Sequence, residues 1–166
     1  ELVQPGRALP DTQAVALDGT AQSMRSLKGQ WLLVSVAGGA CGAACEKNIY
    51  LQRQLRESLG REKDRLDRVW LVSDDAPIAP ALQAQVQAKA VDAYALRVPL
   101  AVLNQWLAPA AGQQLTDHLY LVDPVGNWML RFPVDMDAAK AKRDLDRLLR
   151  AAASWDRAGR ESAGRP

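Results

Sequence analysis

The sequence predicts an α/β protein with three layers, in which helices cover both faces of a central mixed sheet. Three observations predict this class. Two short apolar runs, at residues 31–36 and 69–72, lack the alternation of half-exposed strands and are typical of central strands covered on both faces. Segments with apolar residues at helical spacing lie between the strand-like segments. The length of 166 residues suits one domain with a single core.

The first half of the chain supplies three strands and one helix. A short strand over residues 14–17 precedes a polar turn. The apolar run at 31–36 is the second strand, and a pair of glycines ends it. Apolar residues at helical spacing then predict a helix over residues 44–59, which a glycine terminates. The run at 69–72 is the next buried strand.

The second half supplies three helices and two strands. Helices are predicted over residues 80–90 and 100–107, and strands over 119–122 and 128–132 flank the turn "DPVGN". The last helix covers residues 138–152, with alanines and leucines along one side. A hairpin and a helix after a βαβ unit form the thioredoxin-like arrangement, so we predict a thioredoxin-like α/β/α sandwich.

Domain limits and composition restrict the function further. Residues 1–153 are predicted to form one domain, and residues 154–166 a polar, flexible tail. A net charge of +2 gives no basis for binding nucleic acid or an anionic membrane surface. No apolar run approaches the ~20 residues of a membrane span. The chain starts at Glu1 without an initiator methionine, so any signal peptide or membrane anchor would lie upstream of it.

Both cysteines of the chain, Cys41 and Cys45, lie between the strand at 31–36 and the following helix. Ligands of open α/β sheets gather at such strand ends, and the N-terminus of a helix stabilises a thiolate. Residues four apart on a helical turn are roughly 6 Å apart, which suits a disulfide or two sulfurs on one soft metal ion. The alternative is an inert disulfide or two small buried apolar side chains.

The single histidine, His118, opens the strand at 119–122. In a thioredoxin-like sheet this strand neighbours the one before the cysteines, so the loop before it is expected to reach the cysteine site. Two thiolates and one imidazole suit copper, whereas zinc would usually need a fourth ligand. Taken alone, a lone histidine is more often a surface residue or a hydrogen-bonded core residue.

Several segments together resemble a known family. The stretch from "SLKGQWLLVSV" to "WMLRFP", the CxxxC after a strand and the segment "DHLYLVDPVGN" are similar to the Sco/SenC proteins, thioredoxin-fold factors that help load copper into cytochrome c oxidase. The resemblance implies Cys41, Cys45 and His118 as copper ligands. It also implies an exported domain that is tethered to the inner membrane and faces the bacterial periplasm.

The chain also departs from that family. Its cysteine segment "ACGAACE" has no proline, and "SDDAPIAP" only loosely matches the family's acidic, proline-containing loop. These departures indicate a divergent branch. Asp74 and Asp75 are expected to cap the next helix rather than bind a metal ion.

The cysteine pair, His118 and the resemblance to Sco/SenC proteins together leave three functions open. The first is a copper-binding assembly factor for cytochrome c oxidase, whose partner is an oxidase subunit or another copper or thiol protein. The second is a periplasmic thiol–disulfide oxidoreductase without a metal, in which Cys41 attacks, Cys45 resolves, and His118 tunes the thiol or is a bystander. The third is an interaction module with a vestigial cysteine pair. We expect a monomer, and whether the chain is an enzyme stays open.

Overall fold

The computed structural model describes residues 2–86 and 93–153, which form eight strands in one sheet and four α-helices. The strands are β1 (Leu2–Ala8), β2 (Gln13–Ala16), β3 (Ala21–Ser23), β4 (Trp31–Ala37), β5 (Leu66–Val72), β6 (Ala93–Arg97), β7 (Leu119–Val122) and β8 (Asn127–Arg131). The helices are α1 (Ala43–Ser58), α2 (Pro80–Val86), α3 (Leu100–Trp106) and α4 (Ala138–Ala151). The predicted tail 154–166, and residues 87–90 of the second predicted helix, lie outside the described residues.

The sheet is mixed and has the strand order β1-β8-β7-β4-β5-β6-β2-β3. Strands β4, β5 and β6 run parallel to one another, while β7 pairs antiparallel with β4. In that register Val34 lies opposite Val69 on one side and Tyr120 on the other. Strand β4 is therefore internal, and the loop at its carboxyl end lies between loops of its neighbours.

Helices cover both faces of the sheet, as the sequence predicts. Successive side chains of a strand point to opposite faces. On β4, Leu33 belongs to the apolar cluster that includes Leu55 of α1 and Leu145 of α4. Its neighbour Val34 belongs to the cluster on the other face, which includes Leu103 of α3. The predicted three-layer, thioredoxin-like arrangement with a central mixed sheet is confirmed.

Each predicted element has a counterpart in the structure, but three strands are additional. Strand β6 has only five residues, and two alanines and an arginine among them leave it without the β-branched residues that mark β4 and β5. Strand β3 has three residues without β-branched or aromatic side chains and depends on pairing with β2. Strand β1 contains a proline and a glycine, which sheets tolerate mainly in edge strands, and β1 is an edge strand.

Strand β5 also begins three residues before the predicted one. The structure buries Asp67 and Arg68, which are only 1% and 8% exposed, inside this strand. Charged residues are rarely buried, so the sequence places them outside the strand. Within the described residues, no helix has the length and apolar character needed to cross a bilayer.

Candidate redox site at the cysteine pair

Cys41 and Cys45 form a disulfide, with their α-carbons 5.1 Å apart. Cys45 lies in the first turn of α1, and Cys41 precedes Gly42, the N-cap residue of that helix. Both side chains are largely buried, with exposed fractions of 7% and 5%. The sequence prediction that this spacing permits a disulfide between the end of a central strand and a helix is therefore confirmed.

The disulfide borders a shallow pocket with walls of small residues. The residues that line it are Ala37, Gly38, Ala40, Cys41, Gly42, Ala43, Ala44, Cys45 and Thr116. Apart from Thr116, they all come from the end of β4, the following loop and the start of α1. Because no bulky side chain is among them, a thiol of another molecule can approach the sulfurs from this side.

The backbone of Cys41 has an unusual conformation. Its φ is 50°, in the left-handed region that non-glycine residues seldom adopt, and its N–H donates to the carbonyl oxygen of Gly38 at 3.1 Å. Such a conformation persists only where the surrounding structure enforces it, and it is common at functional sites. Contacts of the loop at residues 38–42, which we call the cysteine loop, are therefore part of the site.

The N-terminus of α1 supplies a favourable field for negatively charged sulfur. Gly42 has no side chain to accept from the N–H groups of the first turn, so those donors face the cysteine loop without a side-chain cap. The helix dipole adds partial positive charge there, which Glu46 in the first turn partly offsets. A thiolate released when the disulfide is reduced is therefore stabilised at this helix end.

Asp74 fastens the cysteine loop to the loop after β5. Its Oδ1 accepts from the N–H of Gly39 at 2.9 Å and from the N–H of Ala76 at 3.0 Å. The hydrogen bond from Gly39, and to a lesser extent that from Ala76, holds the pKa of the Asp74 carboxyl below its usual value. The positive charge of Arg97 lowers this pKa further. The expectation that Asp74 caps the next helix is wrong, because α2 begins only at Pro80 and the carboxylate binds Gly39 instead.

The two glycines at the start of the cysteine loop allow this close approach. A Cβ on Gly38 would collide with the carboxylate of Asp74, and a Cβ on Gly39 would collide with the carbonyl oxygen of Ala76. The glycine pair that ends β4 in the sequence is therefore required for packing against the neighbouring loop. The sequence predicts that the strand ends at these glycines, but it does not reveal that they pack against Asp74 and Ala76.

His118 lies at the start of β7 with its ring buried and only 1% of the residue exposed. The N–H of Ala110 donates to its Nε2 at 3.1 Å, so the ring proton is on Nδ1, which donates to the carbonyl oxygen of Phe132 at 2.8 Å. Both ring nitrogens are thus engaged by the backbone. Within residues 2–86 and 93–153, no three His, Cys, Asp or Glu side chains are grouped as metal ligands. The metal role of Cys41, Cys45 and His118 stays a prediction.

The loop before His118 nevertheless reaches the cysteine pocket, as expected from the sequence. Thr116 lines that pocket, and its carbonyl oxygen accepts from Nδ2 of Asn48 on α1 at 3.0 Å. The hydroxyl of Tyr120 donates to the carbonyl oxygen of Leu115 at 2.7 Å. Thr116 of this loop, and not His118, is thus among the residues that line the pocket beside the disulfide.

Fold and site together define a thioredoxin-like domain with a disulfide at the end of a central strand. Residues 31–152 match the family described as transmembrane-like, thioredoxin-like, C-terminal domain, and the chain belongs to that family. No curated protein matches its sequence.

Solved structures of other proteins share the fold at low sequence identity. ScoI of Bradyrhizobium japonicum with copper bound is 18% identical, with a TM-score of 0.59, and the match covers 84% of this chain and 98% of that one. Yeast Sco1 with copper bound is 13% identical, with a TM-score of 0.65 and coverage of 92% and 97%. The thioredoxin domain of a thiol-disulfide oxidoreductase from Bacteroides vulgatus is 14% identical, with a TM-score of 0.59 and coverage of 88% and 98%. The predicted resemblance to Sco/SenC proteins is confirmed for the fold.

Proposed function

We propose that this protein is a thiol–disulfide redox protein, in which Cys41 and Cys45 alternate between a disulfide and two thiols. The observation that carries the proposal is the disulfide itself, which lies at the N-terminus of α1 and borders a pocket of small residues. A disulfide that closes so short a loop contributes little to stability compared with one that closes a long loop. Its position is therefore better explained by exchange with another thiol than by a purely structural role.

The exchange conserves atoms and electrons between the protein and a client dithiol. A client thiolate attacks the sulfur of Cys41, a mixed disulfide forms, and Cys45 leaves as a thiolate that the N-terminus of α1 stabilises. The second client thiolate attacks the client sulfur of the mixed disulfide and releases Cys41. The client is oxidised by two electrons, the protein is reduced by two, and two protons pass from client to protein. In reverse, Cys41 attacks a client disulfide and Cys45 resolves the intermediate.

Copper handling is the second candidate function. Two observations favour it: reduction would leave two sulfurs together at one helix end, and the fold is that of Sco proteins solved with copper bound. Here copper is cargo, held by Cys41 and Cys45 and passed to an oxidase subunit or another copper or thiol protein. For His118 to be the third ligand, Nε2 must give up its bond from Ala110 and the ring must move toward the sulfurs. In this proposal the domain works in the periplasm, tethered to the inner membrane.

The test separates the two functions. Equilibration with reduced and oxidised glutathione should give a reversible two-electron couple in the wild-type protein and none in a Cys41→Ser, Cys45→Ser variant. A protein whose disulfide cannot be cycled by glutathione or a stronger dithiol would contradict the redox proposal. Titration of the reduced protein with Cu(I) against a chromophoric chelator tests the second function. One tightly bound ion that the double serine variant fails to bind supports it, and absence of binding contradicts it.

Two variants, one in the loop before β7 and one in β7 itself, test whether His118 is the third copper ligand. His118→Ala removes the imidazole, whereas Tyr120→Phe releases the same loop at Leu115 and keeps the imidazole. Weaker Cu(I) binding in His118→Ala alone supports ligation by His118. Equal weakening in both variants would mean that the loop, and not the ring, matters.

A further inference from the structure

We propose that Asp74 is a positioning residue that fixes the cysteine loop and, through its negative charge, shifts the balance between disulfide and dithiol toward the disulfide. This inference rests on the redox function proposed above. Three features of the structure lead to it: the hydrogen bonds that end on the carboxylate, the short path from that carboxylate to Cys41, and the charges that surround it.

The hydrogen bonds place the carboxylate firmly at the cysteine loop. The N–H groups of Gly39 and Ala76 both donate to the same oxygen, Oδ1. On the far side, Nη1 of Arg97 at the end of β6 donates to the carbonyl oxygens of Asp74 at 2.8 Å and of Ala76 at 3.0 Å. Asp74 thus links the cysteine loop to β6, although its side chain lies at the surface.

The path from Asp74 to the disulfide is short. Gly39 lies two residues before Cys41, so their α-carbons are at most roughly 8 Å apart. Gly38, where an added Cβ would collide with the carboxylate, accepts the hydrogen bond from the N–H of Cys41. Adding the hydrogen bond to Gly39 and the side chain of Cys41 puts the carboxylate at most roughly 14 Å from the Cys41 sulfur, well within the Debye length of about 30 Å at 0.01 M ionic strength. A negative charge at that distance opposes the thiolate that reduction creates.

Other charged groups near the cysteine loop set the size of the effect. Arg97 is the cation beside Asp74 and partly offsets its charge. Glu46 adds a second carboxylate in the first turn of α1. Asp75 is exposed like Asp74 but makes no hydrogen bond to the cysteine loop within the described part of the chain. Asp75 therefore provides a matched control for the charge of Asp74.

Asp74→Asn separates charge from geometry. Because both backbone bonds end on one oxygen, the asparagine Oδ1 can accept both, and only the charge is lost. We expect its equilibrium constant for reduction by glutathione to rise about 1.5- to 2.5-fold at low salt, as for a unit charge roughly 8–14 Å away in a watery medium. The thiolate fraction of the reduced protein, followed by ultraviolet absorbance, should rise with it. At 1 M salt both differences should largely disappear.

Two further variants complete the experiment. Asp75→Asn should change the equilibrium constant less than Asp74→Asn at low salt. Asp74→Ala, which also loses both hydrogen bonds, should differ from Asp74→Asn at either salt concentration because the cysteine loop is released. Equal constants for wild type, Asp74→Asn and Asp75→Asn at low salt would overturn the inference and leave the redox function intact. So would a shift in Asp74→Asn that salt does not reduce. A wild-type disulfide that does not exchange at all would instead contradict the redox function itself.

Discussion

The side-chain amide of Asn48 donates a 3.0 Å hydrogen bond to the carbonyl oxygen of Thr116. Asn48 is 7% exposed and lies one helical turn after Cys45, while Thr116 lines the pocket beside the disulfide. This one hydrogen bond ties α1 to the loop before β7. Among the described residues that line the pocket, Thr116 is the one that does not come from β4, the cysteine loop or α1, so this hydrogen bond holds that wall in place.

Replacement of Asn48 by alanine should loosen that wall. The half-buried Thr116 loses the donor to its carbonyl, so we expect the free energy of unfolding to fall by about 0.5–1.5 kcal/mol. The disulfide should also be reduced faster by dithiothreitol, because the wall no longer restricts approach to the sulfurs. Urea unfolding and the rate of reduction measure the two effects. Gln54→Ala, an exposed change on the same helix, is the control. A reduction rate equal to that of wild type would show that the wall does not limit access.

Two glycines of the cysteine loop, Gly39 and Gly42, should respond differently to alanine. In Gly39→Ala the new Cβ would collide with the backbone oxygen of Ala76, so we expect a loss of about 1–3 kcal/mol in stability. In Gly42→Ala the new Cβ meets nothing within 4 Å, and the φ of −73° suits alanine. Alanine is a poorer N-cap than glycine, which destabilises the variant, but it lowers the entropy of the unfolded chain, which stabilises it. We therefore expect the free energy of unfolding to change by no more than about 0.5 kcal/mol.

Urea unfolding of the two glycine variants, both with the disulfide intact, tests this contrast. The comparison is closely matched, since the substitutions are three residues apart and add the same methyl group. Equal stabilities for the two variants would mean that the cysteine loop and the loop after β5 move apart easily. In that case Asp74 could not hold the cysteine loop in place.

The sequence predicts the disulfide site well but misses the residues that hold it. The end of β4, the start of α1 and the cysteine spacing are local features, and local patterns reveal them. Asp74 and Asn48 act through backbone atoms of Gly39 and Thr116, which lie 35 and 68 residues away in the chain. A carboxylate or an amide that binds a distant backbone group leaves no periodic pattern. Of these residues, only Asp74 belongs to a recognisable sequence feature, the acidic pair after β5. In the sequence that pair is typical of a helix cap and does not reveal the bond to Gly39.

The hydrogen-bond partners of His118 could not be predicted from the sequence either. Its residue type and the resemblance to Sco/SenC proteins predict a metal ligand, which stays a prediction, and the structure adds the two hydrogen bonds that its buried ring makes with the backbone. Residue type specifies which chemistry a side chain can perform. The partner that it finds depends on backbone groups such as those of Ala110 and Phe132, and these could not be identified before the fold was known.

The disulfide itself should contribute modestly to stability. It closes a loop with a sequence separation of only four residues, for which the loss of chain entropy in the unfolded state corresponds to about 2 kcal/mol. We therefore expect the oxidised protein to be about 2 kcal/mol more stable than the reduced protein, which stays folded. Urea unfolding with and without a reductant measures the difference, and the Cys41→Ser, Cys45→Ser variant should match the reduced form. Unfolding on reduction would indicate a structural disulfide instead of a working redox pair.

Tyr120 should make the stability fall at high pH. Its ring is fully buried, its hydroxyl donates to the carbonyl oxygen of Leu115, and burial raises the pKa of the phenol well above its usual value of about 10. The nearby charge of Asp117 raises this pKa further, while that of Arg131 opposes the rise. The unfolded chain therefore releases a proton above pH ~10 that the folded protein retains. The resulting contribution to stability is complete below that pH and is lost as the pH rises further.

Tyr120→Phe isolates this effect. At neutral pH the variant should be about 1 kcal/mol less stable, because the carbonyl of Leu115 loses the hydrogen bond from the phenol hydroxyl. Above pH ~10 its stability should decline less steeply than that of wild type, since one proton fewer is released on unfolding. Urea unfolding across the alkaline range measures both slopes, and lysines and other groups contribute equally to each. Tyr50→Phe, at a position that is 53% exposed, should keep the wild-type slope. Parallel curves for wild type and Tyr120→Phe would show that the folded protein lets this phenol ionise.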